Sequence, residues 1–288
     1  MRILVLGVTG MLGNAVFKSM SLDARYYVYG TLRKKELSSH FSESDQLNLV
    51  GPVDVLDLNN LTVVIDQIRP DVIINCVGLI KQLDNAKDPL IVLPINTLFP
   101  HRLAKLCEER EIRLVHISTD CVFNGRKGQY KEQDISDAED LYGKSKYMGE
   151  LHDKANAITL RTSIIGHELN SHDSLVDWFL SQSGQIKGYT KAIFSGLPTI
   201  ELARVISDFV LPNKALSGLY HVSAEPIDKY SLLNLIADQY GKEIGIIADE
   251  QVQIDRSLNS EKFKQATGYF PPAWPELVAK MYHAQKGN

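Results

Sequence analysis

A glycine-rich turn near the N-terminus constrains this chain most, because it joins a predicted strand directly to a predicted helix. The apolar run Arg2–Leu6 is typical of a buried strand and leads into GVTGMLG, after which a helical pattern follows. Glycine permits a tight turn, close approach of the backbone to a phosphate and close helix–strand packing. The helix N-terminus adds free N–H groups and the positive end of its dipole. We therefore predict a dinucleotide site whose pyrophosphate-binding residues are Gly7, Thr9, Gly10, Met11, Leu12 and Gly13.

Short apolar runs alternate with longer helical segments through the first half of the chain. The predicted strands cover residues 2–6, 26–29, 53–56, 71–76, 112–118 and 157–161, and the predicted helices include 11–20, 61–69 and 138–153. Such alternation is typical of a parallel sheet with helices on both faces. Strands that are apolar almost throughout agree, because both faces of a parallel sheet are covered. The predicted fold class is α/β, a Rossmann-type doubly wound parallel sheet.

The pattern becomes less regular after Arg161. Helices are predicted over 174–180, 200–211, 231–240 and 277–282, with a strand over 219–222. We predict a nucleotide-binding Rossmann domain over 1–163 and a smaller, mainly substrate-binding α/β region over 164–288. Residues 199–223 are expected to return to the Rossmann core.

Composition excludes several classes of protein. With 288 residues, 44% hydrophobic and 23% charged, the chain has the make-up of a globular protein with a sizeable core. The net charge of −4 gives no basic excess for nucleic acid, and no apolar run is long enough to span a membrane. The N-terminus lacks the pattern of a signal peptide. Three cysteines without a CxxC pair favour neither disulfides nor zinc, so we expect a protein of the reducing cytoplasm.

The segment after the second strand indicates which nucleotide binds. NAD sites place an acidic residue there to accept from the ribose 2′-hydroxyl, whereas this chain has Gly30-Thr31-Leu32-Arg33. A guanidinium binds a phosphate through a planar fork, so Arg33 with Thr31 predicts NADPH. The adenine end is expected against Asp57 and Leu58. The nicotinamide half is expected at the end of the fourth predicted strand, against Cys76, Val77 and Gly78.

A second constellation predicts the chemistry. The strand over 112–118 leads into Ser118-Thr119-Asp120, and about two dozen residues later comes Tyr142-Gly143-Lys144-Ser145-Lys146. Residues four apart share a helix face, so Tyr142 and Lys146 are expected to point into one site, where both also contact the cofactor. A lysine ammonium and an oxidised nicotinamide favour phenolate, which predicts a lowered pKa for Tyr142. Thr119 is expected to hydrogen-bond the reacting carbonyl oxygen while Tyr142 exchanges its proton.

These motifs, together with STDCVFNG (118–125), LRTS (160–163) and LNSEKF (258–263), resemble an extended short-chain dehydrogenase/reductase. Within that superfamily the chain resembles the dTDP-4-dehydrorhamnose reductase family across nearly its whole length. The resemblance implies NADPH-dependent reduction of a 4-keto group on a nucleotide-linked 6-deoxyhexose, in surface polysaccharide synthesis. It places Thr119, Tyr142 and Lys146 at the catalytic positions.

The chain departs from that family at several positions. Ala15 stands where some members have a glutamate that binds Mg²⁺, so no such metal site is expected. The segment 75–82 is similar to relatives that reduce UDP-linked N-acetylamino keto-sugars. The sequence therefore leaves open whether the nucleotide is UDP or dTDP and whether the hexose is N-acetylated.

Further residues are predicted to contact the sugar nucleotide. Lys81 follows the fourth predicted strand, Gly196 lies in the loop that precedes the 200–211 helix, and Arg256 precedes LNSEKF, where a cation suits a diphosphate. Thr119 and Asp120 complete the predicted substrate-binding set: Lys81, Thr119, Asp120, Gly196 and Arg256.

Two alternative functions remain at this stage. One is a nucleotide-sugar 4-epimerase of the same fold, which recycles its nicotinamide in each turnover. The other is a regulatory subunit resembling the β-subunit of methionine adenosyltransferase. A homodimer is compatible with each of these hypotheses.

Overall fold

The computed structural model describes residues 1–80, 87–169 and 174–286. Within these ranges the strands are β1 (Arg2–Leu6), β2 (Tyr27–Thr31), β3 (Leu49–Val50), β4 (Val72–Asn75), β5 (Arg113–Thr119), β6 (Ala157–Thr162), β7 (Ile164–Ile165), β8 (Gln185–Tyr189), β9 (Ala192–Phe194), β10 (Leu197–Pro198), β11 (Gly218–His221), β12 (Ile227–Asp228), β13 (Gly245–Asp249) and β14 (Ile254–Asp255).

The helices are α1 (Met11–Ser21), α2 (Glu43–Gln46), α3 (Leu58–Ile68), α4 (Pro89–Leu93), α5 (Phe99–Glu108), α6 (Leu141–Met148), α7 (Leu175–Ser181), α8 (Thr199–Val205), α9 (Lys229–Tyr240), α10 (Glu261–Thr267) and α11 (Trp274–Lys286). Short 3-10 turns cover Lys35–His40 and Asp120–Val122. Two π-helical turns, Pro94–Leu98 and Ile206–Val210, follow α4 and α8 directly.

Seven parallel strands form the central sheet, in the order β11-β6-β5-β4-β1-β2-β3. Alternate residues of β1 enter two separate cores: Ile3 and Val5 pack in one, Leu4 and Leu6 in the other. Both faces of the sheet are therefore covered by helices, which explains why its strands are apolar almost throughout. The predicted Rossmann-type sheet is confirmed.

The remaining short strands form three small sheets outside the central one. β8 pairs with β13, β9 lies between β12 and β14, and β7 pairs with β10. β11 lies beside β6 in the central sheet although it comes late in the chain, and α8 packs beside α1. The division of the chain at residue 163 stays a prediction. Within the described ranges, no helix is both long and apolar enough to cross a membrane.

The predicted third strand over 53–56 is wrong. The strand that pairs with β2 is β3, four residues earlier, where Leu32 N donates to the Val50 carbonyl at 2.9 Å. Val53 and Val55 are buried in the core but lie outside the ladder, beyond Gly51-Pro52. Their hydrophobicity therefore reflects core packing and does not mark a strand.

Two predicted helices are shorter than expected. The helix predicted over 138–153 corresponds to α6. It begins after Asp140, whose carboxylate accepts from Gly143 N at 2.7 Å and caps the helix, and it ends before Gly149. The helix predicted over 200–211 is α8 followed by the π-helical turn Ile206–Val210. The second strand also begins one residue later than predicted and continues to Thr31.

Candidate active site

The glycine turn is held by contacts within the protein at Gly7 and Gly13. Gly7 has a φ of +83°, and a Cβ there would lie 2.9 Å from a methyl of Val77 at the end of β4. A Cβ at Gly13 would overlap the carbonyl oxygen of Gly7. The first turn of α1 is thereby packed directly on the turn that follows β1.

Gly10 is different, because packing within the protein does not require a glycine there. It is exposed, its φ is −79°, and a Cβ would approach only the Gly7 carbonyl oxygen, at an ordinary 3.5 Å. Gly10 is the N-cap of α1 and provides no side-chain cap, so the amides of the first turn are left for another acceptor. The space that a side chain would fill at this helix N-terminus fits a dinucleotide pyrophosphate.

The residues predicted for the adenine end lie beyond the carboxyl ends of β2 and β3. Arg33 is exposed. Thr31 is buried, and its hydroxyl accepts from Gly7 N at 3.2 Å, so it braces the glycine turn. Asp57 caps α3 by accepting from the amides of residues 59 and 60 at 3.1 Å, and Leu58 begins that helix. Contact of these residues with a nucleotide stays a prediction.

The segment after β4 borders the predicted catalytic helix. Cys76 N donates to the Leu6 carbonyl at 3.2 Å, and burial raises the pKa of the Cys76 thiol to about 12. A Cβ at Gly78 would lie 3.6 Å from the Lys146 Nζ and 3.5 Å from the Asn96 Oδ1. The segment 76–78 therefore extends from the glycine turn towards Lys146. A cofactor that spans the distance between the glycine turn and Lys146 would lie along it.

Thr119 and Tyr142 come together in the structure. The Thr119 hydroxyl ends β5, lies close enough to the Tyr142 phenol to influence its pKa and accepts from Cys121 N at 3.1 Å. The Thr119 Oγ1 also lies 3.2 Å from a carboxylate oxygen of Asp120, which it can reach as a donor. Tyr142 is half-buried and Thr119 is buried. A hydroxyl pair of this kind suits proton exchange with a bound carbonyl oxygen.

Lys146 lies one turn after Tyr142 on α6, as predicted, and is 5% exposed. Its Nζ donates to the Ile117 carbonyl at 2.7 Å, two residues before Thr119. Burial lowers the pKa of Lys146 to about 8. The ammonium is thus held against the strand that carries Thr119, beside Gly78.

The predicted direction of the Tyr142 pKa is wrong for the protein by itself. Burial raises the pKa of the Tyr142 phenol above its ordinary value, and the nearby Thr119 hydroxyl offsets only part of this rise. The Lys146 ammonium binds the Ile117 carbonyl and does not act on Tyr142 in the way expected from their spacing. The phenol is therefore protonated at neutral pH.

Sequence reasoning missed Asn96, which the fold places beside Lys146. Asn96 lies in the π-helical turn between α4 and α5 and is buried. Its Oδ1 accepts from Leu79 N at 2.8 Å and its Nδ2 donates to the Leu79 carbonyl at 3.0 Å, so it holds the segment after Gly78 at two points. Its Nδ2 also donates to the Ser145 hydroxyl on α6 at 3.2 Å. Residues 79, 96 and 145 are distant in sequence, and no local pattern indicates this contact.

Besides Thr119 and Asp120, the structure describes Gly196 and Arg256 of the predicted substrate residues. Gly196 is buried against Ser163 of the LRTS motif, where a Cβ would overlap the Ser163 carbonyl, so packing alone requires a glycine. The Arg256 Nε donates to the Phe123 carbonyl at 2.7 Å, which links Arg256 to the segment after Thr119 and Asp120. Lys81 lies outside the described residues. Their contact with a substrate stays a prediction.

In the described part of the chain, no three His, Cys, Asp or Glu side chains are grouped so that they could hold a metal ion. Ala15, on α1, is half-buried and brings no ligand atom.

The family described as the RmlD substrate binding domain matches residues 1–286. Among curated relatives, methionine adenosyltransferase 2 subunit beta of Danio rerio is 30% identical over 255 residues, which cover 83% of this chain and 74% of that protein. A dTDP-4-dehydrorhamnose reductase of Aggregatibacter actinomycetemcomitans is 26% identical over 302 residues, which cover 96% of this chain and 97% of that enzyme. These matches confirm the resemblance carried by the motifs.

Solved structures share the fold. The crystal structure of dTDP-4-dehydrorhamnose reductase from Bacillus anthracis in complex with NADP superposes with a TM-score of 0.79 at 21% identity. The match covers 98% of this chain and 99% of that one. The architecture thus extends over almost the entire chain.

Proposed function

The chain belongs to the RmlD substrate binding domain family, and from this membership and the geometry of the site we propose that it is an NADPH-dependent sugar-nucleotide oxidoreductase. We infer that it reduces the 4-keto group of a nucleotide-linked 6-deoxyhexose. One observation carries the proposal: the neighbouring Thr119 and Tyr142 side chains and the buried Lys146 ammonium lie at the same edge of the sheet as the glycine turn.

Three side chains perform the proton chemistry in this proposal. When bound, NADPH supplies the hydride that reaches the carbonyl carbon. The Thr119 hydroxyl orients the ketone oxygen, and the Tyr142 phenol gives that oxygen its proton, so that the ketone becomes an alcohol. The raised pKa of Tyr142 keeps the phenol protonated before transfer. The Lys146 ammonium, one turn away, donates to the Ile117 carbonyl and keeps a positive charge at the end of the strand that carries Thr119.

The relatives support a sugar nucleotide as the substrate. One curated relative is named dTDP-4-dehydrorhamnose reductase, and one solved structure of that name holds NADP. We propose a dTDP-4-dehydrorhamnose-like ketosugar, with a UDP-N-acetylamino-4-ketohexose as the second substrate to be assayed. The product would enter surface polysaccharide synthesis, and the three free cysteines accord with a reducing cytoplasm.

The substitution Tyr142→Phe tests the proposal. It removes the proton donor and keeps the ring, so turnover is expected to fall by about 10²–10⁴-fold. NADPH binding should be little changed. The measurement is NADPH oxidation with each sugar nucleotide, alongside NADPH affinity by fluorescence titration. Tyr147→Phe is the matched control, since Tyr147 lies on the same helix but is 38% exposed.

Wild-type levels of turnover in Tyr142→Phe would remove Tyr142 from the mechanism. Interconversion of sugar epimers without net oxidation of NADPH would favour the 4-epimerase.

The relatives named methionine adenosyltransferase 2 subunit beta support a second candidate, a regulatory subunit. That function does not require the Thr119 hydroxyl and the Tyr142 phenol to lie together, which is why we prefer the reductase. A wild-type protein that consumes no NADPH with either class of ketosugar, yet binds a methionine adenosyltransferase catalytic subunit and changes its rate, would establish the second candidate.

A further inference from the structure

A row of buried polar side chains crosses three neighbouring strands beneath the proposed active site. Ser118 of β5 stands opposite Arg161 of β6, which in turn stands opposite His221 of β11. All three are buried, and Arg161 is 1% exposed. A charged side chain so far from water requires compensation.

Glu150 provides that compensation for Arg161. Its side chain is fully buried, two residues after α6 ends. The Arg161 Nε donates to the Glu150 Oε1 at 2.9 Å and Nη2 donates to Oε2 at 2.6 Å, which is the two-point geometry that a guanidinium and a carboxylate favour. The remaining Arg161 Nη1 donates to the His221 Nε2 at 2.9 Å. These bonds, with one from His152, hold the pKa of Glu150 at about 2 despite its burial, so it is ionised.

The same carboxylate reaches both parts of the proposed proton-transfer site. The Ser118 hydroxyl donates to the Glu150 Oε1 at 2.6 Å, and Ser118 directly precedes Thr119. Glu150 also follows Lys146 by four residues. One anion thus joins the end of β5 to the end of the helix that carries Tyr142 and Lys146.

The groups that act on the charge of Lys146 come from several elements. Cys76 follows β4 and is a neutral thiol, because burial raises its pKa to about 12. His116 of β5 is also neutral, because burial and the nearby Lys146 hold its pKa well below the ordinary value. Glu150 is ionised and opposes the effect of burial on the Lys146 pKa. Of these three neighbours, only Glu150 bears a charge that favours the ammonium.

We propose that Glu150 is a positioning residue for the reduction: it fixes Thr119 through Ser118 and supplies the negative charge that keeps Lys146 in its ammonium form. The inference rests on the proposed function, because it assigns Glu150 a role in that reaction. Arg161 and His221 serve to hold the carboxylate in place.

The substitution Glu150→Gln keeps the shape of the side chain and removes its charge. Turnover of wild type is expected to fall as pH rises through about 8, where Lys146 loses its proton. We call this fall in turnover the high-pH limb of the pH profile. In Glu150→Gln its midpoint should move to lower pH by roughly one pH unit or more, the size of shift that a neighbouring charge produces. The loss in kcat should therefore be greater above pH 8 than below pH 7, with little change in KM. A purely structural defect would lower kcat equally at every pH.

Glu201→Gln is the matched control. Glu201 is also a buried carboxylate, 1% exposed, with ion pairs to Arg204 on α8 and Lys280 on α11. The Glu201→Gln variant also loses one negative charge from a buried network, but elsewhere in the fold. Its pH profile should therefore match that of wild type. An equal shift of the limb in both variants would overturn the proposal.

A measurement without substrate separates this inference from the proposed function. The titration of the Lys146 ¹³Cε, followed by NMR in lysine-labelled protein and assigned with Lys146→Met, reports the lysine charge directly. A lower midpoint in Glu150→Gln supports the coupling even if wild type reduces no ketosugar, and an unchanged midpoint overturns it. If wild type shows no turnover, the proposed function is wrong, but the coupling between Glu150 and Lys146 is unaffected.

The positioning of Thr119 is tested at Ser118, which also decides the matter if Glu150→Gln does not fold. Ser118→Ala removes the bond to Glu150 without changing a charge, so kcat should fall about tenfold, as loss of a bond that orients a reacting group does. The high-pH limb should stay where it is, and Ser118→Thr, which keeps a hydroxyl, should restore much of the rate. Wild-type kcat in Ser118→Ala would overturn the proposal.

Discussion

Tyr142 is half-buried and Lys146 is buried, and burial moves their pKa values in opposite directions. Burial favours the neutral form of any ionisable group, which is the protonated form of tyrosine and the deprotonated form of lysine. The pKa of Tyr142 is therefore raised and that of Lys146 falls to about 8. At neutral pH the pair is a phenol beside an ammonium, which is the state that a proton donor for ketone reduction needs.

Arg33 gives a test of cofactor choice at the scale of one residue. Removing the guanidinium in Arg33→Ala should weaken NADPH binding by about 1.5–3 kcal/mol, roughly ten- to hundredfold, because it breaks a hydrogen bond to a charged phosphate. NADH, which lacks the 2′-phosphate, should be little affected. Both dissociation constants can be measured by calorimetric titration.

Lys34→Ala is the matched control for Arg33→Ala, since the two neighbouring cations are both exposed. Equal losses for NADPH and NADH in Arg33→Ala would show that Arg33 does not contact the 2′-phosphate.

At the scale of elements, the turn between β1 and α1 contains glycines of two kinds. Gly13 is required because the first turn of α1 lies on the Gly7 carbonyl, whereas the space next to Gly10 is open. A glycine that the fold does not require, at the uncapped N-terminus of α1, is explained by a ligand that approaches the backbone there.

This difference predicts opposite results for two alanine substitutions. Gly13→Ala should destabilise the protein by about 1–3 kcal/mol or more, because the new methyl meets backbone atoms that cannot move independently. Gly10→Ala should change the free energy of unfolding by no more than about 1 kcal/mol, yet weaken NADPH binding strongly. Thermal unfolding with and without NADPH measures both effects. If Gly10→Ala bound NADPH as wild type does, the pyrophosphate would not lie at this turn.

At the scale of the whole molecule, buried neutral histidines make stability depend on pH. His221 lies between the Arg161 guanidinium, which donates to its Nε2, and the Tyr130 carbonyl, 3.0 Å from its Nδ1. A second proton on this ring would sit on Nε2, so that two donors, His221 Nε2 and Arg161 Nη1, would face each other. It would also place a histidine cation next to the Arg161 guanidinium. Burial and Arg161 accordingly lower the pKa of His221 to about 3.

We therefore expect stability to fall with pH below about 6.5. Between the unfolded pKa of 6.5 and the folded pKa of about 3, the unfolded chain binds a proton at His221 that the folded chain does not. The loss is about 1.4 kcal/mol per pH unit for each such group, and His116 adds to it in the same direction. Glu150, with a pKa of about 2, adds a further loss as pH falls through 4.5.

Urea unfolding at a series of pH values measures this dependence. His221→Gln, which keeps both an acceptor and a donor, should show a shallower slope than wild type between pH 6.5 and the pKa of about 3. The exposed His40 supplies the control, and His40→Gln should keep the wild-type slope. An identical slope in His221→Gln would contradict the assigned cause.

Local chemistry determined much of this protein from the sequence alone. Apolar strands that lead into glycine turns or polar segments specified the parallel sheet, and the spacing of Tyr142 and Lys146 placed both on one helix face. The strand predicted over 53–56 was wrong because hydrophobicity indicates burial and not strand structure. A valine in a loop can be as buried as one in a strand, as Val53 and Val55 are. Helix lengths differed from the prediction at Asp140, at Gly149 and at the π-helical turns. Hydrogen bonds and backbone geometry set these lengths, and hydrophobic periodicity contains no information on either.

Only the tertiary structure decided the electrostatics of the site. Asn96 lies beside Leu79 and Glu150 beneath Ser118, although the members of these pairs are 17 and 32 residues apart in sequence. The direction of the Tyr142 pKa also depended on the depth of burial, which spacing does not contain. A sequence states which groups can ionise and which residues are neighbours along the chain. The cost of a charge depends on how much water and which partners surround it, and the folded chain alone sets both.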